Sequence, residues 1–206
     1  MELNLNQKLN NILLNIDNNN KPNLFLHVCC GPCSTAVLNK LIDYFNIYII
    51  FFNSNIDSFD EFNLRLIQLK KVIEINNYNI KIIYNKYHHE EFLDYVKGYE
   101  LLKEGGDRCT KCFEFRLKKS YEIAINYIED NNLTSNINYL CTTLSISPHK
   151  NAKLIEEIGE NICLNSLYLN YLPSDFKKEN GFLNSIILSK KFGLYRQNYC
   201  GCEFSK

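Results

Sequence analysis

Residues 23–45 read NLFLHVCCGPCSTAVLNKLIDYF: an apolar run of strand length, a turn carrying three cysteines, and then apolar residues at helical spacing. The run at 23–28 reads as a short buried strand, so its cysteines stand at a strand's carboxyl end. The next segments repeat that order. NIYIIFF at 46–52 is a second apolar run ending in NSN, an amphipathic helix pattern follows over about 57–76, and IKIIY at 80–84 is a third strand. This alternation predicts an α/β fold, a Rossmann-like parallel sheet with right-handed crossovers and helices on both faces. Ligands of such open sheets bind beyond the carboxyl ends of the strands. Cys29, Cys30, Cys33, Asn53 and Asn55 therefore share one edge.

Further along, HHEEFLDYVKGYELL at 88–102 reads as a helix, and EGGDR at 104–108 as a turn. A helix resumes near Cys112 and runs to about residue 129, and INYLCTTL at 137–144 is a fourth strand. Ser147 as cap and Pro148 at the first helical position predict a helix from there to about Ile158. The pattern then weakens, apart from a helix at 182–192. Residues 1–22 read as an N-terminal helical extension, and 23–206 as a single catalytic domain with a metal-binding C-terminal segment.

The chain has 206 residues, enough for one domain with an ordinary core. Lys plus Arg equals Asp plus Glu at 23 each, so no overall basic field draws in long duplex nucleic acid. A hydrophobic fraction of 46% excludes disorder of the whole chain. The N-terminus lacks the basic start and continuous apolar core of a signal peptide, and no run of about 18 apolar residues occurs. A cytoplasmic protein with no membrane partner is expected.

Nine cysteines, an odd number, make a disulfide framework a poor reading for a cytoplasmic chain. Seven fall in three clusters: Cys29, Cys30 and Cys33; Cys109 and Cys112; Cys200 and Cys202. Cys141 and Cys163 stand alone and read as small buried apolar side chains. A C-x-x-C pair serves zinc, an iron–sulfur cluster or a dithiol couple. Neighbouring side chains such as those of Cys29 and Cys30 diverge, which suits two metal centres side by side better than one chelate. Four thiolates complete a cubane or a zinc site and leave three for a second, open centre. Gly31 and Gly201 would let the backbone bend around an inorganic core.

Polar groups on the same edge are candidates for substrate. Asn53 and Asn55 could bond a sugar or heterocycle, and Thr142, Thr143, Ser147 and His149-Lys150 could receive a phosphate at a helix start. From 171 onward Lys177, Lys178, Lys190, Lys191, Arg196 and Lys206 outnumber Asp175, Glu179 and Glu203. Interleaved with Tyr195, Tyr199 and Phe204, they suggest a single-stranded nucleic-acid surface. The four histidines show no metal spacing, and His88-His89 is expected to be exposed.

LHVCCGPCS, CTKCFEFRL, TTLSISPHK, DFKKENG and LYRQNYCGCEFS occur in that order across residues 23–205, and together they resemble the motif set of the QueH-type epoxyqueuosine reductases. The resemblance implies a Rossmann-like scaffold related to the adenine-nucleotide α-hydrolase architecture and an oxidoreductase of tRNA processing. It further implies reduction of the epoxide of epoxyqueuosine at the tRNA wobble position, the last step of queuosine biosynthesis, with a 4Fe–4S cluster beside a second, mononuclear iron. Carried over, the metal-binding cysteines are Cys29, Cys30, Cys109, Cys112, Cys200 and Cys202, with Cys33 where some members have aspartate. Ser54 stands where the family's N-P-N-I segment has proline.

The implied partners are the tRNA anticodon loop and an electron donor such as a ferredoxin or flavodoxin. Asn53, Asn55, Lys150, Lys177 and Arg196 are the expected substrate contacts, and Asp175 the candidate proton donor. No G-x-G-x-x-G motif is present for a flavin or nicotinamide cofactor. The alternative is a zinc-stapled RNA-binding protein without redox chemistry. A free dithiol reductase and an ATP-dependent tRNA-modifying enzyme are weaker rivals, the latter because C-C-G-P-C occupies the place of its pyrophosphate loop.

Overall fold

The computed structural model describes residues 3–205 of the chain, all but the side chain of Tyr84. Met1 and Glu2 of the expected extension, and Lys206 of the expected basic surface, lie outside the described residues. Five strands, β1 (Asn23–His27), β2 (Asn46–Phe51), β3 (Lys81–Tyr84), β4 (Asn138–Thr142) and β5 (Asn170–Tyr171), form one parallel sheet in the order β3-β2-β1-β4-β5. The order reverses between β1 and β4, and a crevice opens at such a switch point beyond the strand carboxyl ends.

Side-chain alternation sorts the sheet into two faces. Leu24, Leu26 and Val28 of β1 and its exit join Ile47, Ile49 and Phe51 of β2 in one apolar cluster, while Phe25, Ile50 and Phe52 join the other. The first cluster is covered by α1 (Leu5–Leu14), through Leu9 and Leu13, by α2 (Gly31–Leu41) and by α3 (Phe59–Ile75). The second is covered by α4 (His89–Tyr95), α5 (Asp107–Asp130) and α6 (Ala152–Cys163), and α7 (Gly181–Lys191) packs on α2. Cys141 and Cys163 are buried in these clusters, as small apolar side chains would be. No helix among the described residues is long and apolar enough to cross a membrane.

Several boundaries depart from the sequence expectation: the helix read over 88–102 ends at Tyr95, α6 runs on past Ile158 to Cys163, and two helix starts move. The helix predicted from Pro148 begins at Ala152, because the Asn151 side-chain oxygen accepts from the backbone N–H of Lys153 (3.1 Å) and Leu154 (3.3 Å). Thr143–Ile146 winds instead into a 3-10 turn capped by the Thr142 hydroxyl. The helix expected to resume near Cys112 starts at Asp107, with Gly106 at its cap, so Cys109 and Cys112 both ride its first two turns.

Candidate metal centre

Cys30 caps α2 in an extended conformation, and Cys33 follows in the helix's first turn. The sulfurs of Cys29, Cys30 and Cys33 lie within 4.8 Å of one another, and those of Cys29 and Cys30 are 3.9 Å apart. Among the described residues this is the one group of three or more ligating side chains that closes to single-ion spacing. Cys109, Cys112, Cys200 and Cys202 together line a cavity of about 120 Å³. An adjoining cavity of about 370 Å³ is lined by Cys29, Cys33 and Cys200, so Cys200 stands between the groups. Residues from both ends of the chain thus meet at the carboxyl edge of the sheet.

Hydrogen bonds set the posture of the three-thiol group. Gln197 Nε2 donates to Cys30 Sγ at 3.0 Å, and the Thr143 hydroxyl lies 3.3 Å from the Cys29 backbone nitrogen and 3.6 Å from its sulfur. Hydrogen bonds from Cys30 and Cys33 hold the Cys29 thiol well below its ordinary range, and burial opposes them without prevailing. The same bond to Cys29 pushes Cys33 well above it, and burial drives Cys30 up to about 12. In the other group, burial raises Cys109, lifts Cys112 to about 12 and lifts Cys202 to about 11. Such thiols resist ionising alone and ionise against a bound cation.

His27 is buried beneath this floor and is no ligand. Its Nε2 faces the Phe52 carbonyl (3.1 Å), which only accepts, so the proton sits there and Nδ1 accepts from the Thr142 hydroxyl at 2.7 Å. Burial, then the Arg116 charge, lowers its pKa to about 3, and it stays neutral. Arg116, 1% exposed, donates from Nη2 to Asn53 Oδ1 at 2.6 Å, and Asn53 Nδ2 donates to the Val28 carbonyl at 2.9 Å. Asn53 therefore spends its amide on the scaffold, and Asn55 is 1% exposed.

The remaining expected contacts divide. Lys150 and His149 line both thiol-bearing cavities, and Arg196 lines the larger. Burial works against the Lys150 charge, but Cys200 and Cys29 outweigh it and raise its pKa. Asp175 and Lys177 pair at 2.7 Å and line a neighbouring groove beside α1 that shares Lys150 with the thiol cavities, and Lys177 is also held by the Ser145 carbonyl. The hydroxyls of Thr142 and Thr143 are buried inside the fold and do not meet solvent as a phosphate site would. His88 is exposed as expected, but the His89 side chain is largely covered, bonding the Ser54 carbonyl at 2.8 Å and Glu203 at 3.2 Å, which corrects the expectation for that residue. Tyr199 and Phe204, read as base-stacking rings, already lie under the guanidinium groups of Arg65 and Arg108.

Both glycines serve the protein itself. A Cβ on Gly31 would sit 2.6 Å from the Gln68 backbone, so the glycine admits α3 against α2. Gly201 has φ +106° and would meet the Arg65 guanidinium at 2.9 Å. Three buried arginines, Arg65, Arg108 and Arg116, escaped the sequence reading, as did Gln197. Arg116 follows Cys112 by one helical turn inside the CTKCFEFRL motif, a position that offers the signal in hindsight.

The family model described as epoxyqueuosine reductase QueH matches residues 24–206 of the chain. An epoxyqueuosine reductase QueH of Staphylococcus aureus is 40% identical over 192 residues, covering 90% of this chain and 76% of that protein. Its counterpart in Streptococcus pyogenes serotype M1 is 36% identical over 190 residues, with coverage of 90% and 71%. The Thermotoga maritima protein of the same name is 32% identical over 185 residues, with coverage of 88% and 89%.

Proposed function

The chain belongs to the epoxyqueuosine reductase QueH family, and from that premise we propose that it reduces the epoxide of epoxyqueuosine in tRNA to the alkene of queuosine, the closing step of that nucleoside's synthesis. The observation that carries this reading is the meeting of seven thiols, from three distant stretches, at the switch point of the sheet. Their grouping fits an inorganic assembly. Cys109, Cys112, Cys200 and Cys202 supply the four thiolates a 4Fe–4S cluster takes, and Cys29, Cys30 and Cys33 supply three to a second iron and leave a position open. The donor-rich surroundings support the same fit: Arg65 Nη2, Arg108 Nε and Arg116 Nε are buried without a hydrogen-bond partner among the described residues.

Loss of the epoxide oxygen as water breaks two C–O bonds and takes up two electrons and two protons. When bound, the iron centres supply one-electron transfer and Lewis acidity toward oxygen. The chain's own groups do the rest. His149, lining both cavities, hands a proton to the departing oxygen, while Asp175 lines the neighbouring groove that shares Lys150 with them. Lys150 holds positive charge where substrate oxygen and thiolates meet, and Arg196 at the mouth receives a backbone phosphate of the anticodon loop. Asn53 and Asn55 shape the floor. Electrons come from a ferredoxin- or flavodoxin-type donor, and the setting is the cytoplasm, where tRNA is modified.

The test is anaerobic purification followed by iron and sulfide quantification, electron paramagnetic resonance and turnover on an epoxyqueuosine-containing anticodon stem–loop. The expected result is a brown protein with more iron than sulfide, and at least a hundredfold loss of turnover in Cys29→Ser and in Cys30→Ser with the fold kept. A colourless zinc protein, or full turnover in both variants, overturns the proposal and favours a stapled RNA-binding module.

A further inference from the structure

Arg65 belongs to none of the cysteine motifs and sits in the apolar stripe of α3, between Phe62 and Leu69, with its side chain 2% exposed. A buried guanidinium is costly unless it is paired and hydrogen-bonded, as any desolvated ion is. Arg65 meets that condition on both sides. Nε donates to Glu61 Oε1 at 2.7 Å, one turn back on the same helix. Nη1 crosses to the C-terminal tail and donates to the Cys200 carbonyl at 2.9 Å.

The tail is shaped around this group. The guanidinium carbon lies 5.4 Å from the centre of the Tyr199 ring, and Gly201 passes directly over the guanidinium. At φ +106° a side chain is strained, and a Cβ would lie 2.9 Å from Nη1 and 3.0 Å from Nη2, so glycine is required twice over. The Gly201 carbonyl then accepts from the Asp57 backbone N–H at 2.8 Å. At the tail's far end Arg108 Nη2 donates to the Phe204 carbonyl at 3.1 Å, with its guanidinium carbon 5.2 Å from the centre of that ring. Two arginines, on α3 and α5, thus grip the segment that carries Cys200 and Cys202.

Arg65 also faces the thiols. It lines the cavity shared by Cys29, Cys33 and Cys200, and Nη2 is buried with no hydrogen-bond partner among the described residues. An N–H donor and a fixed positive charge beside thiolates favour the more negative, reduced state of a bound cluster and so raise its potential.

We propose that Arg65 is a positioning residue of the thiol assembly, which fixes the Cys200–Gly201–Cys202 turn through the Cys200 carbonyl and sets the charge against which the sulfurs work. The inference rests on the reading of those sulfurs as metal ligands, but its first arm is read on the full chain without iron. There, iodoacetamide alkylation of each cysteine is timed by mass spectrometry. Arg65→Met is expected to speed alkylation of Cys200 and Cys202 at least tenfold while leaving Cys141 and Cys163 at the parent rate. In the iron-loaded protein the same variant shifts the cluster's reduction potential to a more negative value. Arg65→Lys restores that potential in part and leaves the fast alkylation, since an ammonium keeps the charge but not the guanidinium fit beneath Gly201.

Gly201→Ala serves where Arg65→Met fails to fold. It is expected to speed alkylation of the two tail cysteines in the parent and to add less in an Arg65→Met background, where the strain at φ +106° remains but the contact with the guanidinium is gone. Parent-like alkylation in a folded Arg65→Met or Gly201→Ala protein overturns the proposal, as does an unchanged reduction potential. A protein that takes up no iron sinks the proposed function and leaves the alkylation arm to decide the tail's anchoring.

Discussion

Glu156 faces the groove beneath α1 with its side chain only 4% exposed. Oε2 accepts from the Ser174 backbone N–H at 3.3 Å, while Lys8 Nζ stands 3.7 Å from Oε1, beyond hydrogen-bond reach. Burial, then the nearby Glu160 carboxylate, raises its pKa to about 7. Its unfolded value is near 4.3, so the folded chain holds a proton the unfolded chain releases over the interval between. The stability this lends is full below the unfolded value and is lost as pH rises through about 7. Glu156→Gln keeps the acceptor for Ser174 and removes the ionisation. The variant is expected to be more stable than the parent at pH 8 by roughly 1–3 kcal/mol and equal to it at pH 4, as measured by urea unfolding at the two pH values. An unchanged difference between the two would mean that Lys8 neutralises the carboxylate fully. The same buried polar character explains why single residues were the least legible level of the sequence. Arg65 stands close to Lys70 and Lys71 in α3, and only the position it occupies in the Phe62–Leu69 stripe marks it as inward-facing.

At the scale of elements, α2 and α3 show why a short motif holds so much of the fold. Gly31 opens α2 and meets the Gln68 backbone of α3. Alanine in place of glycine ordinarily gains up to about 1 kcal/mol in a helix. Here its Cβ would press on backbone 2.6 Å away, which no rotamer change relieves. Overpacking wins, and Gly31→Ala is expected to destabilise by about 1–3 kcal/mol in denaturant unfolding with an unchanged m value. A neutral result would mean that the helices separate at little cost. Elements with strong periodicity were legible from sequence: β1, β2, β3 and the helices between them emerged from apolar spacing alone. The two residues of β5 are too few to carry a period, and they pair with β4 only because the rest of the sheet offers that edge. The misplaced start of α6 has a local cause. Ser147-Pro148 and Asn151 are both acceptable caps, and the 3-10 turn already formed by Thr143–Ile146 leaves the choice to Asn151.

For the molecule as a whole, the question is whether a chain with seven clustered thiols needs metal to fold. Small zinc domains do, because they lack a core of their own. Here apolar clusters on both faces of the sheet bury Leu9, Leu38, Ile49 and Leu69 on one side and Phe25, Ile50, Phe92 and Leu117 on the other, and in each cluster aliphatic and aromatic side chains outnumber the cysteines. The C-terminal tail differs. It lies beyond α7, and it is joined to α3 by the bond from Arg65 to the Cys200 carbonyl and by bonds from Tyr195 to Gln68 and Glu61, and to α5 by the bond from Arg108 to the Phe204 carbonyl. Stripping iron from the loaded protein with a chelator is therefore expected to leave far-ultraviolet circular dichroism unchanged and to lower Tm by several degrees, as loss of any ligand bound only to the native state does. The change should concentrate in residues 194–205, where hydrogen exchange accelerates while β1, β2 and β4 keep their protection. Global unfolding on chelation would contradict this division of labour and would make the thiols a structural staple, returning weight to the zinc reading.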